Sequence, residues 1–206
     1  MGLIIEIAFL IALGIIIIIN LYLLKLRKEL KQIENESNLS GMEIARIVSS
    51  KYCEKEPHII KKDGLFLDHY NINRNVIKLS PEVFDGTNMY SSIIAIIIAM
   101  EKNNEKKARE NYYIALIMPV AYILIILGAF LNNFSIINLG LIIFILTFIL
   151  SLTVNTTPNK NDGILKIIKK EKIIEPFDSN NIERNMVLLR VLVLARLPYE
   201  FINYFR

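Results

Sequence analysis

Cysteine and histidine are scarce in this chain of 206 residues, which has one cysteine, Cys53, and two histidines, His58 and His69. A lone thiol excludes a disulfide scaffold. Two histidines eleven positions apart on different extended runs cannot form a helical i, i+4 pair. The eight glycines are scattered, so there is no glycine-rich phosphate loop. Ser91-Ser92 and Ser49-Ser50-Lys51 stand in neither a nucleophile-elbow nor a Ser/Lys context, and Cys53 has no local Cys/His pairing. Charge is also sparse: 21% of residues are charged against 53% hydrophobic, with a mean hydropathy of +0.42. Soluble domains run at about 45–50% apolar and about 25% charged. The apolar excess is collected into long blocks separated by stretches rich in Lys, Asn and Glu. That pattern excludes a single soluble domain or a disordered chain and points to the membrane.

The first block, residues 2–24, carries Glu6 as its only charge. About 20 apolar residues in a helix cross a ~30 Å hydrocarbon core. Its start is uncharged and its basic cluster (Lys25, Arg27, Lys28, Lys31) follows it, so it is expected to be a retained anchor rather than a cleaved signal peptide. Residues 112–131 and 134–154 form two further spans in a tight hairpin, with only Asn132-Asn133 between them and Pro119 able to kink the first. Residues 186–206 include Arg190, Arg196, Pro198 and Glu200, and both a packed fourth span and an interfacial amphipathic helix remain open for them. Glu6 lies near one end of its span, where it can snorkel or pair.

Basic residues flank the spans on one side. Lys25–Lys31 follow the first, Lys102, Lys106, Lys107 and Arg109 precede the second, and Lys160, Lys166, Lys169, Lys170 and Lys172 follow the third, while the Asn132-Asn133 turn is uncharged. The positive-inside rule then places the N-terminus outside the cell membrane and residues 25–111 and 155–185 in the cytoplasm. The net charge of +4 and pI of about 9.0 therefore fit anionic-lipid contact better than nucleic acid, since the basic residues do not interleave with aromatics.

Within residues 25–111 the pattern turns α+β. A polar helical linker over residues 26–36 leads to Ser40-Gly41-Met42-Glu43, which has the form of a capping box, with Ile44, Ile47 and Val48 as the apolar face behind it. Extended runs at residues 58–62, 65–67 and 75–79, separated by the turn signals Lys62-Asp63-Gly64 and residues 71–75, predict a small antiparallel sheet. Ser80-Pro81-Glu82 starts another helix. A last one begins near Asn88 and runs to about Arg109. The expected fold class is α+β: a multi-span α-helical membrane protein with a small cytoplasmic α+β domain.

This order resembles the YugP-like family of membrane-bound neutral zinc metallopeptidases. The residues that carry the resemblance are Gly41, Glu43, Ile44, Ala45 and Arg46 on one helix; Asp68, His69 and Tyr70 on a strand; and Leu79 and Ser80 followed by Glu82-Val83. The resemblance implies a zincin-like domain whose long helix carries H-E-x-x-H, two imidazoles on one helical face holding Zn²⁺ and a glutamate polarising its water. It implies a third, acidic ligand after the span hairpin. Here the helix positions are Met100, Glu101, Lys102, Asn103 and Asn104, so Glu101 alone is retained as a vestigial acid/base. The third position falls near Thr157, with Asp162 the nearest carboxylate and no glutamate between Glu110 and Glu171. Met100, Asn104 and Thr157 are degenerate ligand positions, and no metal or other cofactor is expected.

The resulting expectation is an inactive homologue that acts by binding or scaffolding at the membrane, leaning away from an enzyme. Its expected partners are the bilayer and a membrane protein or peptide, an active paralogue among the candidates; nucleic acid is not one. Two alternatives stand: an active peptidase with a relocated metal site drawing on Asp68, His69 and Glu101, and a small membrane adaptor unrelated to peptidases. A strand running along the helix around Met100 would separate the last from the other two, because peptidases of this type bind substrate by strand addition.

Overall fold

A computed structural model describes residues 2–35, 37–63, 68–103 and 105–156. They comprise α1 (Gly2–Lys31), α2 (Gly41–Tyr52), β1 (His58–Lys61), β2 (His69–Asn71), β3 (Val76–Leu79), α3 (Pro81–Asp85), α4 (Met89–Asn103), α5 (Glu105–Phe130) and α6 (Phe134–Thr156). The chain is mostly helical with one three-stranded sheet. Its described residues divide into two compact units, residues 2–22 with 110–156 and residues 23–109.

In the first unit three helices are long and apolar enough to cross a membrane: Leu3–Lys31, Ala108–Phe130 and Phe134–Val154. Phe144 and Met118 are fully buried at its centre, among Ala12, Ile16, Ile114 and Phe148, and the Phe9 ring meets Phe144 edge-on at 4.9 Å. In a bilayer, association of such helices rests on packing of this kind rather than on hydrophobic transfer. Small residues bring α5 and α6 close. A Cβ on Gly128 would lie 2.7 Å from the Ile137 nitrogen, and one on Gly140 would lie 2.9 Å from the Ala121 carbonyl oxygen. The turn between them is made by its two asparagines. Asn132 takes a left-handed φ of 51°, a region asparagine tolerates, and the Asn133 side chain accepts from the Ser135 N–H at 3.0 Å to cap α6.

In the second unit α4 is the spine. Nearly every residue from Met89 to Met100 is buried, as expected for a helix that is apolar all round but too short to span. Against it packs α2, through Ile44, Ala45 and Val48, each fully buried. The capping box at Ser40 is present in full: Ser40 Oγ accepts from the Glu43 N–H, and the Glu43 carboxylate accepts from the Ser40 N–H at 2.8 Å. Ser80 caps α3 through its hydroxyl alone, which accepts from the Val83 N–H, with Pro81 in the first turn. After α1, the Asn35 amide donates to the Ser92 hydroxyl and to the Leu39 carbonyl, both at 2.8 Å, and so holds the connecting segment to the start of α4.

The sheet has the order β1-β3-β2 and is mixed, not antiparallel as predicted: β2 pairs antiparallel with β3, and β1 pairs parallel with it. The reason is the strand at His69–Asn71. Joined to β3 by the turn after Asn71, it takes the hairpin edge and leaves β1 the opposite one. Asn71 Oδ1 accepts from the Arg74 N–H at 3.1 Å, and Asn75 sits at a φ of 50°, which closes that turn. The predicted run at residues 65–67 lies outside the described residues, as do residues 157–206 with the predicted fourth span or interfacial helix. The described residues from Met89 to Asn103 are helical, as expected for the helix beginning near Asn88, and α5 is helical from Glu105, several residues before the apolar block, in keeping with the helix-compatible polar residues Glu105 to Asn111.

Gly41 is placed where only glycine fits: a Cβ there would collide with the Val83 carbonyl of α3, whereas one on Gly14 would meet nothing within 4 Å. Gly41→Ala is expected to lower stability by about 1–3 kcal/mol through overpacking, whereas Gly14→Ala in the interior of α1 should not lower it, in thermal unfolding of the detergent-purified chain.

Candidate functional site

The candidate site is built where β2 lies against α4. On α4, Met100 is 5% exposed and its side chain is part of the core; Glu101 and Lys102 are half-buried. Lys102 Nζ stands 5.9 Å from the centre of the Tyr70 ring, within cation–π range, so a strand does run beside the helix around Met100. Asn104 and Thr157, the other two degenerate ligand positions, lie outside the described residues.

Pairing fixes which way the Asp68-His69-Tyr70 side chains face. Tyr70 stands opposite Ile77, a core residue, and His69 stands opposite Lys78. Successive strand residues alternate faces, so Tyr70 shares the α4 side of the sheet with Ile77, while His69 is turned to the other face with Lys78. Both are buried. The Tyr70 hydroxyl donates to Asn75 Oδ1 at 3.0 Å. Asp68, 8% exposed, accepts from the Ser80 N–H at 2.7 Å and the Ser80 hydroxyl at 3.1 Å. Its carboxylate therefore holds down the N-cap of α3 with both oxygens.

A second cluster was not visible from sequence spacing. Glu82 on α3 pairs with both Arg27 and Lys31 on the polar end of α1, and the Arg27 guanidinium also lies 5.4 Å from the Tyr90 ring centre. Burial acts to raise the Glu82 pKa, but the hydrogen bonds and charges of Lys31 and Arg27 outweigh it and hold the carboxyl below its ordinary value of 4.5. Lys78, 2% exposed, goes the other way: burial, helped by Lys62 and Arg74, pushes its ammonium down. The only signal for Lys78 was a charge within the run Val76-Ile77-Lys78-Leu79.

The remaining nucleophile candidates have structural duties. Cys53 follows α2 and its thiol lies 3.9 Å from the Ala99 carbonyl oxygen; burial pushes it up, Lys102 draws it back and Glu56 raises it again. A thiol so shifted is a poor nucleophile. Ser91 donates to the Glu82 carbonyl and to Asn88 Oδ1, both at 3.1 Å, and Ser92 donates to the Asn88 carbonyl.

A zinc ion of the H-E-x-x-H kind needs nitrogen, oxygen or thiolate donors on one face of α4. The described donors do not fit that requirement. Met100 offers a buried thioether, Asp68 is engaged by Ser80, and His69 faces away from the helix side of the sheet. Among the described residues no three His, Cys, Asp or Glu side chains come together as a metal-holding group, and Asp68, His69 and Glu101 are not brought together as one.

The family model described as "Putative neutral zinc metallopeptidase" matches residues 5–183, and the chain belongs to that family. No curated protein and no solved structure matches it. Membership removes the unrelated-adaptor alternative, and Met100 and Asn104 in place of the two motif histidines mark the chain as a degenerate member.

The Glu82 cluster makes stability pH-dependent. A carboxyl held below 4.5 when folded contributes stability that is fully present above 4.5 and is lost as pH falls through its lower folded value. Acidification from neutral pH to about pH 3 should cost the wild type about 1 kcal/mol more than Glu82→Gln, measured by denaturant unfolding at both pH values.

Proposed function

We propose that this chain is a non-hydrolytic member of its family: a cell-membrane protein with its N-terminus outside, whose cytoplasmic zincin-like domain binds a membrane protein or peptide without cutting it. One observation carries the proposal: a core-packed methionine, Met100, stands at the first histidine position of the helix, with His69 facing away and Asp68 engaged elsewhere. Glu101 keeps the place of the general base but has no metal-bound water to act on. Its alternation with Lys102 also suits an ordinary charged helix face. No zinc or other cofactor enters this function. The basic flanks of the spans support the orientation, and they suit anionic lipid on the cytoplasmic side.

The proposed partner class is a membrane protein or an extended peptide segment, an active family member included, because the strand-beside-helix arrangement that grips substrate persists at β2 and α4. The test uses the full chain reconstituted in nanodiscs with fluorescent casein, alongside Glu101→Gln. Equal, background-level cleavage by both is the expected result. Cleavage by the wild type that is abolished in Glu101→Gln, with unfolding unchanged, would establish a working hydrolase with an atypical site. Cross-linking in native membranes should capture a protein partner; capture of lipid-neighbour background alone counts against the binding role.

A further inference from the structure

The opposite edge of the sheet has no role in the site at α4. His58 and Lys62 donate their N–H groups inward to the Asn75 and Leu79 carbonyls at 3.1 and 2.9 Å. In a parallel ladder alternate residues turn their backbone groups to opposite sides, so Ile59 and Lys61 each direct an N–H and a C=O outward. Among the described residues no strand pairs with that side, and His58, Ile60 and Lys61 are exposed along it. At its start opens a cleft of about 240 Å³ lined by Arg46, Ser49, Glu56, Pro57, His58 and Ile59. Ser49 is 2% exposed, yet its hydroxyl finds no hydrogen-bond partner among the described residues. Buried polar groups are seldom left so.

Charge indicates what kind of strand fits here. Residues 46–62 carry five basic side chains (Arg46, Lys51, Lys55, Lys61, Lys62) against Glu54 and Glu56, and of these Lys61 is paired with Asp85 on α3. Arg46 is exposed and lines the cleft. A second copy of the same edge would set like charges opposite one another, which is unfavourable. We propose that the outer edge of β1 is a docking strand for an extended acidic peptide segment of a partner protein. The segment hydrogen-bonds to the backbone of Ile59 and Lys61 and lays a carboxylate in the cleft against Arg46. This rests on the binding function and adds a second surface to it, separate from the β2 edge beside α4.

The test is fluorescence anisotropy with the full chain in phosphatidylcholine nanodiscs, using a labelled octapeptide that alternates valine and glutamate and its valine–lysine counterpart. The acidic probe should bind about tenfold tighter or more, and Arg46→Glu should erase that preference. Lys61→Pro removes an outward N–H and no ladder bond, so it should weaken binding about tenfold, whereas Lys61→Ala, which loses only the side chain, should weaken it far less. Equal binding of both probes, Lys61→Pro binding no worse than Lys61→Ala, or copies of Lys61→Cys cross-linking to one another along β1 in place of peptide binding would each overturn the proposal. Cleavage of the bound acidic probe would contradict the non-hydrolytic function but leave this surface standing.

Discussion

The grip of the Asp68 carboxylate on Ser80 is the contact around which the second unit is organised. It joins the start of β2 to the N-terminus of α3, and α3 then reaches three other elements. Its Val83 carbonyl abuts Gly41 at the start of α2, its Glu82 side chain holds Arg27 and Lys31 of α1, and its Glu82 carbonyl accepts from Ser91 at the start of α4. A five-residue helix has little stability of its own. Fixing its first turn with two hydrogen bonds to one carboxylate therefore fixes where α1, α2 and α4 meet it.

This explains how the chain can look like a metallopeptidase although its described residues bring no metal-holding group together. The residues that carry the resemblance are framework: Gly41 for close approach, Glu43 for the capping box, Ile44 and Ala45 for the core, Asp68 for the clamp, Ser80 for the cap. None of these duties needs a metal. Position 100 differs, because in this chain a thioether packs into the core there and contributes apolar contacts to α4. An apolar side chain of suitable volume at that position keeps the packing of α4.

Much of the local structure was legible in the sequence because it is encoded locally. Ser40 with Glu43, Ser80 with Pro81, and Asn132 with Asn133 each announce a helix end through side-chain chemistry within a few residues. The three spans follow from length and hydropathy alone. What was not legible depends on pairing between distant segments. Nothing near His58–Lys61 says that β1 will run parallel to β3, and nothing near Glu82 says that its partners lie 55 and 51 positions away. At the candidate site the loss of the histidines was plain from composition, but the direction of His69 was not. That depends on its register against Lys78, which a three-residue strand cannot specify by pattern.

If the framework around α4 stands without a metal, elemental analysis of the chain purified in detergent without a metal-binding tag should return zinc near zero per chain. A value near one per chain would overturn that and make Asp68, His69 and Glu101 the first ligands to substitute.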